Sequence, residues 1–319
     1  MGELEQCENH SSFLMSTQSI PRPQLSTGIA LAIAGAIGFS GKGVIIKLAY
    51  RYGVDPATLI MYRMLFALPF FVLMGLWAER RPQARALALN RRDMLGIAGL
   101  GFLGYYFSSY LDFLGLQYVS AGLERLILYL NPTLVMLLGW VLYRKPITPM
   151  RALAMAVSYS GVLLVFSHEM SFAGSDVALG TMLVLLSALT YAAYLLYSGE
   201  IVKRIGSARL VGWATSVACV LCILQFLIIR PLSAAVVPVE VLWLSLLCAL
   251  VCTVAPVLMV MMAIERIGSS LAAQTGMVGP MSTLFLGVIF LGESLNVWIG
   301  VGTVLVLGGV YLFSKYGAN

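Results

Sequence analysis

The chain has 319 residues, 60% of them hydrophobic and only 11% charged, with a formal charge of +6, a mean hydropathy of +0.91 and a pI near 9.1. A soluble domain of this length could not hide so much apolar surface, so the bilayer is the solvent for most of the chain. In a soluble protein the basic balance would point to nucleic acid; here Lys and Arg sit almost entirely in the connections between apolar runs, and nucleic acid is excluded as a partner.

Residues 1–26 are polar, carry Pro21 and Pro23, and read as a flexible tail without a cleavable signal peptide. Ten apolar runs follow: Gly28–Ala49, Ala57–Trp77, Met94–Leu116, Ser120–Leu142, Ala152–Phe166, Gly180–Ser198, Leu210–Ile229, Val241–Ile264, Ser269–Leu291 and Val297–Phe313. The fifth is the shortest. Backbone groups in hydrocarbon must be satisfied locally, and the alternation of a barrel is absent, so each run is expected to be a helix. The expected fold is all-α integral membrane, with ten transmembrane helices.

The connections set the orientation. With the amino terminus in the cytoplasm, 14 Lys and Arg fall inside and only Arg51 and Arg230 fall outside. Both termini are therefore expected in the cytoplasm.

The stretch Val119 to Phe166 recurs near the end of the chain. An offset of 148 places Pro132 on Pro280, Gly139 on Gly287 and Gly161 on Gly309 without a gap. Two unrelated helix pairs would not share these positions, so the chain is read as a duplication. The first helices of the halves align more loosely, Gly28 over Gly180 and Phe39 over Tyr191. With five spans in each unit the second copy must be inverted. This predicts two inverted five-helix repeats, residues 27–168 and 178–316, related by an axis in the membrane plane.

Cysteine chemistry is not expected. Cys219/Cys222 and Cys248/Cys252 sit inside apolar spans with no His, Asp or Glu close in sequence, and read as small buried hydrophobes. No metal or cofactor is expected. The segment Ala36–Gly43 has the outline of a phosphate loop, but Ala36 replaces its first Gly and Gly43 its Ser/Thr. Gly38-Phe39-Ser40-Gly41 resembles the surroundings of an intramembrane protease nucleophile, yet the only histidines are His10 in the tail and His168 at the outer end of span 5. No catalytic set emerges, and an enzyme is not expected.

The intramembrane charges are the strongest candidates for function. At about 1.5 Å per residue from the outer helix ends, Lys42, Arg63, Asp112, Glu124 and Arg125 lie roughly 6–10 Å deep on four helices. Unpaired charges there are costly, so Asp112 and Glu124 are expected to pair with Lys42, Arg63 and Arg125. The mirror positions of Lys42, Glu124 and Arg125 are Tyr194, Ala272 and Ala273, which carry no charge. Three readings stand: a static ion-pair cluster, an outer gate, or direct binding of a charged substrate or a coupled proton.

Further candidates are polar residues and helix breaks. Tyr105, Ser109 and Asp112 fall near one face of span 3, and Asn131 shares the face of Glu124 on span 4. Pro132 and Pro280 free the carbonyls of Leu128 and Gly276 at mid-depth. Tyr191, Tyr194 and Tyr197 form an aromatic stripe on span 6, a feature of packing more often than of a pocket. Gln274 and Thr275 are uncommon polar residues on span 9.

With these residues in view the chain resembles the EamA group of the ten-helix drug/metabolite transporter superfamily. The resemblance rests on the duplicated Pro helix, on Phe290-Leu-Gly-Glu293-Ser, on Gly309-Val310, on Lys47 at the end of span 1, and on Arg63. The chain departs from the pattern at Lys145, where an acid is usual, at Lys42, where a polar amide is common, and at Glu124-Arg125, which replace small residues. The resemblance implies a central cavity walled by helices 1, 3, 4, 6, 8 and 9, alternating access, a bacterial inner membrane, and often export of amino acids, other small metabolites or drugs. The expectation is a secondary transporter of a small-molecule substrate, with protons a candidate coupling ion, acting as a monomer or homodimer. Uptake, movement of lipid-linked or phosphorylated sugars, and a non-transporting receptor or scaffold are the alternatives.

Overall fold

A computed structural model describes residues 22–81, 89–144, 147–173, 176–275, 278–293 and 296–316. Among them every long element is a helix. The helices are α1 (Arg22–Tyr50), α2 (Pro56–Glu79), α3 (Arg91–Gly115), α4 (Ala121–Leu128), α5 (Asn131–Tyr143) and α6 (Pro149–Ala173). The second half contributes α7 (Asp176–Ile205), α8 (Ser207–Ile229), α9 (Val239–Ala249), α10 (Ala255–Thr275), α11 (Val278–Leu291) and α12 (Val297–Tyr316). The helix α3 widens to a π turn at Gly101–Phe107, and a second π turn, Leu250–Val254, joins α9 to α10 without a break.

Six of these helices are long and apolar enough to cross a membrane singly, and the continuous run Val239–Ala263, through α9 and the start of α10, makes a seventh span. The bent pair α4–α5 makes an eighth span, and α11 and α12 are shorter apolar helices of the same character. Leu73, Met182, Phe285 and Val304 are exposed, the reverse of a soluble surface and the natural state of side chains facing lipid.

Local chemistry explains the helix ends. Pro56 opens α2, where its missing donor costs nothing, and Asp55 caps that end by accepting from the amides of Ala57 at 3.0 Å and Thr58 at 3.2 Å. Asn90 and Asp93 form a reciprocal capping box at the start of α3. The helix α1 starts at Arg22, inside the stretch read as tail, with Pro23 in its first turn. Two further boundaries differ from the sequence reading. The fifth span grows to the 25 residues of α6 because its flanks, though polar, hold no helix breaker after Pro149. Spans 8 and 9 have no boundary at residues 264–269, because Gly268 alone does not stop a helix there.

The duplication is visible in the packing. The 148-residue offset carries Ala154 to Gly302 and Gly161 to Gly309. A Cβ on Gly161 would stand 2.6 Å from the Gly302 carbonyl oxygen, and one on Gly309 would stand 2.6 Å from that of Ala154. The two contacts are images of one another, as an axis that exchanges α6 with α12 requires. Other pairings obey the same exchange: α1 packs on α10 and α11 in one half, and α7 packs on α3 and on α4–α5 in the other.

The ends of the bundle agree. Arg209 at the start of α8 grips Glu79 at the end of α2 with two hydrogen bonds, 2.7 and 2.5 Å, and Trp213 donates to the same carboxylate at 3.0 Å. Arg204 meets Asp93 at 3.1 Å. The connection after α2 and the connection after α7 therefore lie at one end of the bundle. At the other end Arg230 reaches Asp55 at 3.1 Å. For two five-span units this arrangement requires that the second be upside down.

Candidate functional site

The interior charges gather around Lys42. Its Nζ donates to Asp112 Oδ2 at 2.6 Å and forms an ion pair with Glu124 Oε1 at 3.1 Å that lacks hydrogen-bond alignment. Asp112 is 2% exposed and Glu124 1%. One ammonium thus ties α1, α3 and α4 together in a water-poor layer, where charge interactions are least screened. Gly43 makes the approach possible: a Cβ there would lie 3.2 Å from Glu124 Oε2.

The two arginines do not join this clasp, contrary to the expected pairing. Arg63 on α2 donates through Nε to Thr253 Oγ1 at 3.1 Å and lies 5.2 Å from the Phe113 ring centroid. Arg125 lies 5.2 Å from the Tyr129 ring centroid, next to Gly279. For Arg125 the reason is the break between α4 and α5. The chain bends 41° there, with Tyr129 and Leu130 outside both helices and Pro132 in the first turn of α5. Arg125 is turned along the break toward α11. The bend also interrupts the straight register expected to link Glu124 with Asn131.

A polar seam runs beside the break. Ser40 Oγ is 2.6 Å from the Ala36 carbonyl oxygen and 2.7 Å from that of Gly279, while Thr283 Oγ1 reaches the Ser40 carbonyl at 3.2 Å. A hydroxyl committed to two carbonyls is a helix-to-helix tie and not an activated nucleophile. The buried Pro280 sits in α11. Gly276, whose carbonyl it was expected to free, lies outside the described residues, as do Lys145 and the side chain of Gln274.

Tyr105 and Tyr194 meet elsewhere. Their hydroxyls are 3.2 Å apart, and Tyr191 stacks on Tyr194 with centroids 5.4 Å apart. Tyr105 thus faces α7 while Asp112, on the same helix, faces α1. The π turn of α3 and the pairing of Ser108 with Ser187 lie between these two uses of the helix. Tyr197 is exposed and takes no part.

A second acidic group pairs Glu293, named in the sequence only within its motif, with Glu169, which the sequence reading passed over. Ser120 caps α4, accepting from the Leu123 amide at 3.0 Å. Glu169 of α6 accepts from the Ser120 amide at 3.2 Å and from its hydroxyl, and Glu293 accepts from the Ala121 amide at 3.2 Å. Lys47 lies within electrostatic reach of both carboxylates. Both acids find the positive end of a helix, a favourable place for negative charge. The available signal was a lone Glu at the end of an apolar run.

Among the described residues, several buried polar atoms of the interior layer and of the break lack a hydrogen-bond partner: Asp112 Oδ1, Arg63 Nη1, Arg125 Nε and Asn131 Oδ1. Buried polar atoms are costly without a partner, so this is where water or a solute is required.

Apolar helices in two exchanged halves, enclosing charge and a broken span, define a multi-pass membrane protein of the transporter type. The chain belongs to the EamA-like transporter family, whose model matches residues 26–167 and again 178–315. It is 30% identical over 293 residues to the uncharacterized transporter YcbK of Bacillus subtilis, covering 90% of this chain and 91% of that one. An uncharacterized transporter of Archaeoglobus fulgidus is 22% identical, with 90% and 96% covered. A crystal structure shares the fold with a TM-score of 0.60 at 16% identity, over 92% of this chain and 99% of that one.

Proposed function

We propose that this member of the drug/metabolite transporter superfamily is a secondary exporter of amino acids or other small polar metabolites, working by alternating access. The clasp of Lys42 on Asp112 and Glu124 is the observation that carries the reading. It joins three helices at a broken span, it is buried, and its partners can be exchanged without unfolding a helix. In this account the clasp and the outer tie of Glu169 and Glu293 form when the outer side is closed and part when it opens. Protons are the candidate coupling ion, because two carboxylates share one ammonium and either can carry a proton across. Both termini face the cytoplasm of a bacterial cell, in keeping with the excess of Lys and Arg in those connections. The working unit is a monomer or homodimer.

The test is counterflow in proteoliposomes with a panel of amino acids and small metabolites. Saturable counterflow that falls at least tenfold in Lys42→Ala, Asp112→Asn or Glu124→Gln supports the reading. Flux with all three variants at wild-type rates makes the clasp a static ion-pair cluster. No flux for any solute favours a receptor or scaffold.

A further inference from the structure

Arg63 is the more buried of the two cations that the Lys42 clasp leaves over. It is 7% exposed, and among the described residues no carboxylate lies within ion-pair distance of it. Its single polar partner there is a neutral hydroxyl, Thr253 Oγ1, at 3.1 Å from Nε. Nη1 is buried with no hydrogen-bond partner among the described residues. A charge so placed is costly to keep unless something of opposite sign meets it.

The local geometry gives the guanidinium a fixed orientation. Thr253 lies in the π turn Leu250–Val254, and its hydroxyl donates its one proton to the Cys248 carbonyl at 3.0 Å. Its oxygen can then only accept, and the donor it accepts from is Arg63 Nε. Phe113 covers a face of the guanidinium at 5.2 Å. The Nε edge is thereby occupied and the ring face is shielded, while the Nη1 edge is held ready. π turns of this kind are frequent at functional sites.

Charge counting points the same way. The interior layer holds three cations, Lys42, Arg63 and Arg125, against two carboxylates, Asp112 and Glu124. Lys42 is within electrostatic reach of Arg63, and Glu124 of Arg125. One positive charge is in excess, and one monoanion balances it.

We propose that Arg63 is the counter-ion for a carboxylate of the transported solute, engaged through the unpartnered Nη1, with Thr253 as a positioning residue. The inference rests on the transport reading above and narrows its substrates to monocarboxylates, including zwitterionic amino acids. A phosphate dianion fits less well, because one edge of one guanidinium offers too few donors and the layer has only one charge to give.

The experiment follows thermal unfolding of the full-length protein in detergent. The probes are the neutral L-amino acids, acetate and benzoate, each beside its own amide, and inorganic phosphate. At least one carboxylate is expected to raise the unfolding midpoint saturably while its amide does not. Half-saturation is expected to move about tenfold or more higher in Arg63→Gln, with part of the affinity kept in Arg63→Lys. Thr253→Val is expected to weaken binding and Thr253→Ser to restore it, a rescue that loss of packing alone would not give. If Arg63→Gln does not fold, Arg63→Lys and the Thr253 pair carry the comparison.

The proposal is overturned if no carboxylate stabilises the wild type, if the amides act equally, if phosphate replaces the carboxylates, or if half-saturation ignores Arg63 and Thr253. Arg63-dependent binding without counterflow keeps the subsite and removes the transport reading. Counterflow of a carboxylate at unchanged half-saturation in the Arg63 variants removes the subsite and keeps transport.

Discussion

Lys42 Nζ and Asp112 Oδ2 stand 2.6 Å apart between α1 and α3, and Glu124 Oε1 lies on the same ammonium at 3.1 Å. Removing the cation should therefore hurt more than removing either acid. Lys42→Met leaves two buried carboxylates uncompensated, at a cost of about 3–5 kcal/mol. Asp112→Asn leaves Lys42 its pair with Glu124, at a cost of about 1–3 kcal/mol. The double variant should cost less than the sum, since one interaction is lost twice over. Thermal unfolding of the purified variants reads all three.

The tie at the start of α4 makes a separate prediction. Ser120→Ala removes the cap of that helix and one partner of Glu169, and should cost about 0.5–2 kcal/mol. Glu293→Gln keeps an acceptor for the Ala121 amide and should cost less. Both should raise thiol labelling of a single cysteine placed at position 122, read by labelling rate, if the tie closes the outer side.

The small-residue contact of α6 with α12 should be equally sensitive from either half. Gly161→Leu and Gly309→Leu each drive a side chain into a carbonyl of the partner helix, and each should destabilise by about 1–3 kcal/mol. Gly300 and Gly308 meet nothing within 4 Å, so Ala there should be neutral or slightly stabilising. Comparable losses at 161 and 309 would be the mark of a mirrored contact.

The duplicated positions told most of the architecture before any coordinates. Gly161 and Gly309 recur because the same close approach is built twice. The membership of Lys42, Asp112 and Glu124 in one layer was also legible, since helix rise converts sequence position into depth. Partner choice within the layer was not. The break at Pro132 was legible, but not the direction of the bend at Tyr129–Leu130, which sends Arg125 toward Gly279, nor the π turn that brings Thr253 to Arg63. The tie of Glu169 and Glu293 escaped because it is made largely to backbone amides, which carry no sequence signature. The run of helix across Gly268 was hidden by the opposite assumption, that a glycine between two apolar runs must end one of them.

The inversion of the second repeat is the claim on which the clasp, the tie and the solute path all depend. Its most direct test is the sidedness of two connections, 80–92 and 203–209, mapped by labelling single cysteines from each face of intact and opened vesicles. The account predicts that both are reached from the same face, as the contacts Arg204–Asp93 and Arg209–Glu79 require. Labelling from opposite faces would contradict it.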